Sequence, residues 1–149
     1  MTAVRRGAWV ALRYVTGLFF LGVIVQFFLV GYGLFDMKHG ATIDNAKSLD
    51  AHRAFGFILT DVGAGLFLIL VLLAWPKPAS VLGRWILLAV LAFVQGILAT
   101  TGYHHKWVGM FHPVNAMLLL GLSGYLAHYA WRTRRSGSDV AVAPALESS

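Results

Sequence analysis

Four uninterrupted apolar runs, each near the length of a bilayer-spanning helix, constrain this chain more than any other feature. They extend from Tyr14 to Phe35, Ala54 to Trp75, Trp85 to Tyr103 and Met110 to Trp131. A helix needs about 20 apolar residues to cross the hydrocarbon core of a membrane. Each run is too long for a core strand, and none alternates polar with apolar. Inside lipid a backbone must satisfy its own hydrogen bonds, so each run reads as a helix. The expected fold is all-α: a polytopic membrane protein forming an antiparallel four-helix transmembrane bundle. The links are short, so consecutive helices are neighbours and helices two and four lie across the diagonal. Residues 1–135 read as one domain, and residues 136–149 as a disordered cytoplasmic tail.

Composition agrees. Hydrophobic residues make up 58% of the chain and charged residues 12%, about half the charge of a soluble domain. That balance excludes a disordered chain, a nucleic-acid module and an ordinary cytosolic enzyme. Trp9, Trp75, Trp85, Trp107 and Trp131 fall at the expected span ends, as do Tyr14, Tyr32, Tyr103 and Tyr129; amphipathic rings favour the headgroup level. Lys and Arg set the orientation. Arg5, Arg6, Arg13, Lys77, Arg84, Arg132, Arg134 and Arg135 collect on one side, against Lys38, Lys47, Arg53 and Lys106 on the other. The positive-inside rule then puts both termini in the cytoplasm, as expected for a multi-pass protein of the cytoplasmic membrane. The first run is longer than a signal-peptide core and lacks an A-x-A site, so it reads as an uncleaved span. Cysteine is absent, which excludes disulfides, iron–sulfur clusters, thiolate metal sites, covalent c-type haem and cysteine catalysis. No H-E-x-x-H, G-x-S-x-G or P-loop motif is present.

The polar residues inside the runs suggest an internal repeat. Val25-Gln26, Gly31-Tyr32-Gly33 and His52 in the first half match Val94-Gln95, Gly102-Tyr103 and His112 in the second. Two tandem helical hairpins, related by an axis along the membrane normal, would produce this pattern. Chance similarity between Leu-rich helices is the alternative.

His52 and His112 open helices two and four at similar depth. Two imidazoles facing across the bundle diagonal are suited to hold a haem iron as axial ligands. Gly56 and Gly63 follow His52 at +4 and +11 on its own face, and Ala116 and Ser123 follow His112 at the same spacing; small residues there leave clearance for a flat macrocycle. Gln26 and Gln95 face the same cavity from the other two helices. Arg53 and Lys106 lie at the rim, where they can pair with propionates. Each residue also has a plainer reading. The glycines and glutamines can serve helix packing alone, His52 can be a solvated first-turn residue, and His112, before Pro113, can be an N-cap outside its helix.

Two further groups bear on function. Asp61 sits deep in the second run and faces away from His52; it reads as a proton-relay candidate or as a protonated group bonded to Thr60, Thr100 or Thr101. His39, His52, His104, His105 and His112, with Met37, Met110 and Asp36, fall on the outer side and are candidates for a copper or zinc site. His128 has no counterpart near the inner end of helix two, which argues against a two-haem wire.

The strings Val-Gln-Phe-Phe-Leu (25–29), Ala-His-Arg-Ala-Phe-Gly (51–56) and His-Pro-Val-Asn-Ala (112–116) resemble a family of small, uncharacterised bacterial four-helix integral membrane proteins. The resemblance covers about residues 8–131 and implies no assigned activity. A looser likeness, in the roles of His52 and His112, is to membrane b-type cytochromes and the haem A synthase bundle; those two-haem cytochromes use two His pairs, and this chain offers one. The expected function is a single-haem b-type membrane protein with haem b as cofactor. It would act in electron transfer, in haem handling or as a subunit of a membrane redox complex, with a quinone as a candidate partner, the lipid bilayer as its environment and no nucleic acid. The alternatives are a cofactor-free accessory or scaffold protein, and a small proton or ion pathway built on Asp61.

Overall fold

A computed structural model describes residues 2–43 and 45–139. Helix one, Ala3–Phe35, runs for 33 residues, about 50 Å at 1.5 Å per residue. The Thr2 hydroxyl caps it by accepting from the Arg5 backbone N–H at 3.4 Å. Helix two, Lys47–Ala74, is composite: a 3-10 turn (Lys47–Leu49), an α segment (Asp50–Phe57), a π segment (Ile58–Val62) and a second α segment (Gly63–Ala74). Helix three is Ala79–His104. A one-turn helix, Lys106–Gly109, leads into helix four, Phe111–Asp139. All four expected helices form, each long and apolar enough to cross a membrane. Helix one begins well before Tyr14, because nothing between Ala3 and Arg13 breaks a helix. Helix four continues four residues into the segment expected to be a tail; residues 140–149 of that segment lie outside the described residues.

The helices form a square. Helix one packs on two and four, helix three packs on two and four, and two and four face each other across the diagonal, as the short links require. The buried apolar side chains come from Ala8 to Val23 of helix one, Ala64 to Ala74 of helix two, Val81 to Ala92 of helix three and Leu119 to Ala130 of helix four. Phe19 and Phe67 meet edge to face at 5.0 Å, and Trp9 meets Trp85 at 6.2 Å. This core fills only the part of the bundle toward the ends of helices two and four. Toward the other end the interior turns polar.

At that polar end the two outer connections differ. The turn between helices three and four is held by backbone contact: a Cβ on Gly102 would stand 2.8 Å from the Gly109 Cα. The longer connection after helix one is tied down by side chains. The Ser48 hydroxyl donates to the Gly33 carbonyl at 2.7 Å. Arg53 donates to the Ala46 carbonyl at 3.0 Å, to the Ile43 carbonyl and to Asp50 at 2.6 Å.

Candidate functional site

Above the last apolar layer, five polar side chains occupy the bundle interior: Gln26, His52, Gln95, His112 and Asn115. Their placement follows from the hairpins. Gln26 lies nine residues before the end of helix one and Gln95 nine residues before the end of helix three. The returning helices bring His52 and His112 down beside them. The Gln26 amide donates to the His52 carbonyl at 3.1 Å. In the second hairpin the Gln95 amide nitrogen lies 3.3 Å from His112 Nε2. Each glutamine thus contacts the histidine of its own half, Gln26 through the His52 backbone and Gln95 through the His112 ring.

His112 occupies the first turn of helix four, inside the helix; the preceding one-turn helix and Met110 take the capping positions. Both imidazoles turn inward, and their ring centres stand 6.4 Å apart with planes at 80°. His52 Nδ1 and His112 Nδ1 are both buried and have no hydrogen-bond partner among the described residues. A buried polar atom left without a partner is costly, and natural structures seldom keep one without a reason. The rings meet edge to face, at a spacing in the normal range for packed aromatic side chains.

Asn115 completes the layer. It is 6% exposed, and its amide donates to the Leu91 carbonyl at 2.9 Å and to Gln95 Oε1 at 2.7 Å. The second contact fixes which way the Gln95 amide points, and so directs its nitrogen at His112. The sequence reading gave Asn115 no place in the site. The available signal was its spacing, three residues after His112 and therefore on the same helix face.

The remaining expected site residues divide. Gly56 lies against Gln26: a Cβ there would stand 2.7 Å from Gln26 Nε2, so the amide already fills the room beside the glycine. Gln26 Oε1 is buried without a partner. Gly63 faces Phe19 and lines the apolar core. Ala116 is half-buried, and Ser123 is fully buried with its hydroxyl on the Leu120 carbonyl at 3.3 Å, deeper than the polar layer. Arg53 is engaged by the connecting segment and, at 3.3 Å, by the Tyr103 hydroxyl. Lys106 opens the one-turn helix and is exposed.

Asp61 lies in the π segment and is exposed on the outer face of helix two, away from the histidine pair. The Thr60 hydroxyl is 3.0 Å from its Oδ2, so Thr60 is the partner among the three threonines named from sequence. Thr100 turns its hydroxyl onto the carbonyls of its own helix. The copper or zinc cluster is not formed: among the described residues no three His, Cys, Asp or Glu side chains converge to hold a metal ion. His39 and His105 are exposed on the connections and His104 is exposed as the last residue of helix three. Comparison with known proteins leaves the site to speak for itself, since no family model, curated protein or solved structure matches the chain.

Proposed function

We propose that this bundle holds a single b-type haem near one face of the membrane, with His52 and His112 as its axial ligands. The observation that carries the reading is the 6.4 Å separation of the two inward-facing rings across the diagonal. Among the described residues no third ligand converges on the pair, which suits a porphyrin, since it supplies four ligands of its own and asks the protein for two. Gln95, held by Asn115, orients His112 through one ring nitrogen; a metal-bound histidine is commonly positioned this way through the nitrogen that does not ligate. Gln26 forms the wall beside Gly56, its amide nitrogen on the His52 carbonyl and its amide oxygen without a partner. Haem in that position supplies one-electron chemistry, which suits a small electron-transfer, haem-handling or redox-complex subunit working with a quinone or a membrane partner.

Absorption spectroscopy tests the reading. Protein purified in detergent from haem-replete cells should show a Soret band and an α band that sharpens on reduction with dithionite. His52→Ala and His112→Ala should each abolish the low-spin signature. A colourless protein from such cells would overturn the proposal and favour a cofactor-free accessory bundle in which the polar layer is interhelical adhesive. Asp61 favours a second, separate reading as a proton-relay group, because a carboxyl exposed at the middle of a span is costly unless it titrates or is paired. Asp61→Asn should leave the haem spectrum unchanged.

A further inference from the structure

At the end of the bundle opposite the histidine pair, helices one, two and four leave a cleft of about 380 Å³. We infer that this cleft is a binding site for the phosphate headgroup of an anionic membrane lipid. The inference rests on the membrane-spanning reading of the fold and is independent of the haem.

The cleft is lined by Arg5 and Lys77, by Trp9, Trp75 and Tyr129, and by Thr133. Its chemistry is that of an interfacial anion site. Arg5 donates to the Ala74 and Trp75 carbonyls, which fixes its guanidinium at the C-terminal end of helix two and compensates the partial negative charge there. Trp75 takes a left-handed backbone conformation, with φ of 43°, that ends the helix and turns its ring to the cleft wall. Lys77 is exposed and makes no ion pair among the described residues. No acidic side chain lines the cleft. In the sequence the only acidic residues that follow the fourth run are Asp139 and Glu147, whereas Arg6, Arg13, Arg84 and Arg132 add further positive charge at this end.

Size and wall character select a lipid over free phosphate. The volume equals roughly a dozen waters at about 30 Å³ each, more than a bare phosphate needs and enough for a phosphate with its glycerol. Three of the seven lining residues are large amphipathic rings, the side chains that favour headgroup depth. Basic pockets between transmembrane helices at this level are suited to anionic headgroups. The phosphate would sit between Lys77 and the outer edge of Arg5, with the Thr133 hydroxyl in reach, and the acyl chains would leave along the helix surfaces.

Native mass spectrometry of the full chain, released from an uncharged detergent, tests this. Phosphatidylglycerol should be retained more strongly than phosphatidylcholine. Lys77→Gln should weaken retention about fivefold, the effect of removing one interfacial cation. Thr133→Val should weaken it less, and Lys38→Gln, at the other end of the bundle, should leave it unchanged. Equal retention of the two lipids would overturn the site. So would an equal loss in Lys77→Gln and Lys38→Gln, which would mean diffuse charge attraction. Displacement of the lipid by millimolar inorganic phosphate would overturn the lipid assignment in favour of a free-phosphate site.

Discussion

Asn115 spends both amide hydrogens within the bundle, one on the Leu91 carbonyl and one on Gln95 Oε1. The Gln95 amide then reaches His112, so one side chain of helix four sets the orientation of another through helix three. Removing Asn115 would leave Gln95 Oε1 without its donor, while the Leu91 carbonyl keeps the backbone bond of its helix. Such losses cost about 1–3 kcal/mol in soluble cores and closer to 0.6–1.7 kcal/mol between membrane helices, where the unfolded reference also finds partners. Asn115→Ala should therefore lower stability by about 1–2 kcal/mol, measured by thermal or denaturant unfolding in detergent. The change should be larger than for Thr133→Ala, whose hydroxyl bonds only carbonyls of its own helix. Equal losses would mean that the chain through Gln95 carries no coupling. Arg53 shows the opposite case. From the sequence it is a rim cation for a propionate, but in the structure it clamps the connection between helices one and two. Nothing in a string of residues tells a free arginine from one that its own loop has claimed.

The elements were legible where length alone decides the matter. Four apolar runs of bilayer length leave little choice except helices, and short links leave little choice of neighbours. The π segment Ile58–Val62 was not legible. A wide turn shifts the hydrogen-bond register by packing against neighbours, and Asp61 and Thr60 of that turn sit over Gly96 of helix three, where a Cβ would approach Asp61 Oδ2 to 3.3 Å. The tight turn between helices three and four shows how an element boundary is enforced. Gly102 and Gly109 touch through their backbones, so no side chain can yield when one is enlarged. Gly102→Ala should destabilise the protein by about 1–3 kcal/mol, as overpacking does. Gly65→Ala is the matched control: it lies in helix two with nothing within 4 Å of its would-be Cβ, and replacing a helical glycine there should stabilise by about 0.5–1 kcal/mol. Unfolding midpoints of the two variants should move in opposite directions. A harmless Gly102→Ala would mean that the turn relaxes and that His112 is not held by it.

At the scale of the whole molecule the bundle is polarised. One end holds the apolar core, the basic cleft and most of the arginines; the other holds the polar layer, the histidine pair and the longer connection. Lys38 lies in the connection between helices one and two, and Lys77 in the turn between helices two and three. In an antiparallel bundle these two connections emerge at opposite ends, so in a membrane they must face opposite compartments. From the eight-to-four division of Lys and Arg the Lys77 end is expected to face the cytoplasm. The chain has no cysteine, so a single introduced thiol reports without background. Lys38→Cys should react with a membrane-impermeant maleimide in intact cells, and Lys77→Cys only after the membrane is opened. The reverse pattern would invert the protein and place the histidine pair on the cytoplasmic side, where a haem would exchange electrons with cytoplasmic partners. Labelling of both positions in intact cells would break the four-span topology itself. With the expected pattern, the histidine pair lies near the outer surface and the basic cleft at the inner leaflet. A haem held by His52 and His112, as proposed, would then exchange electrons on the extracytoplasmic side, since His128 is the one histidine of the sequence toward the other end of the bundle.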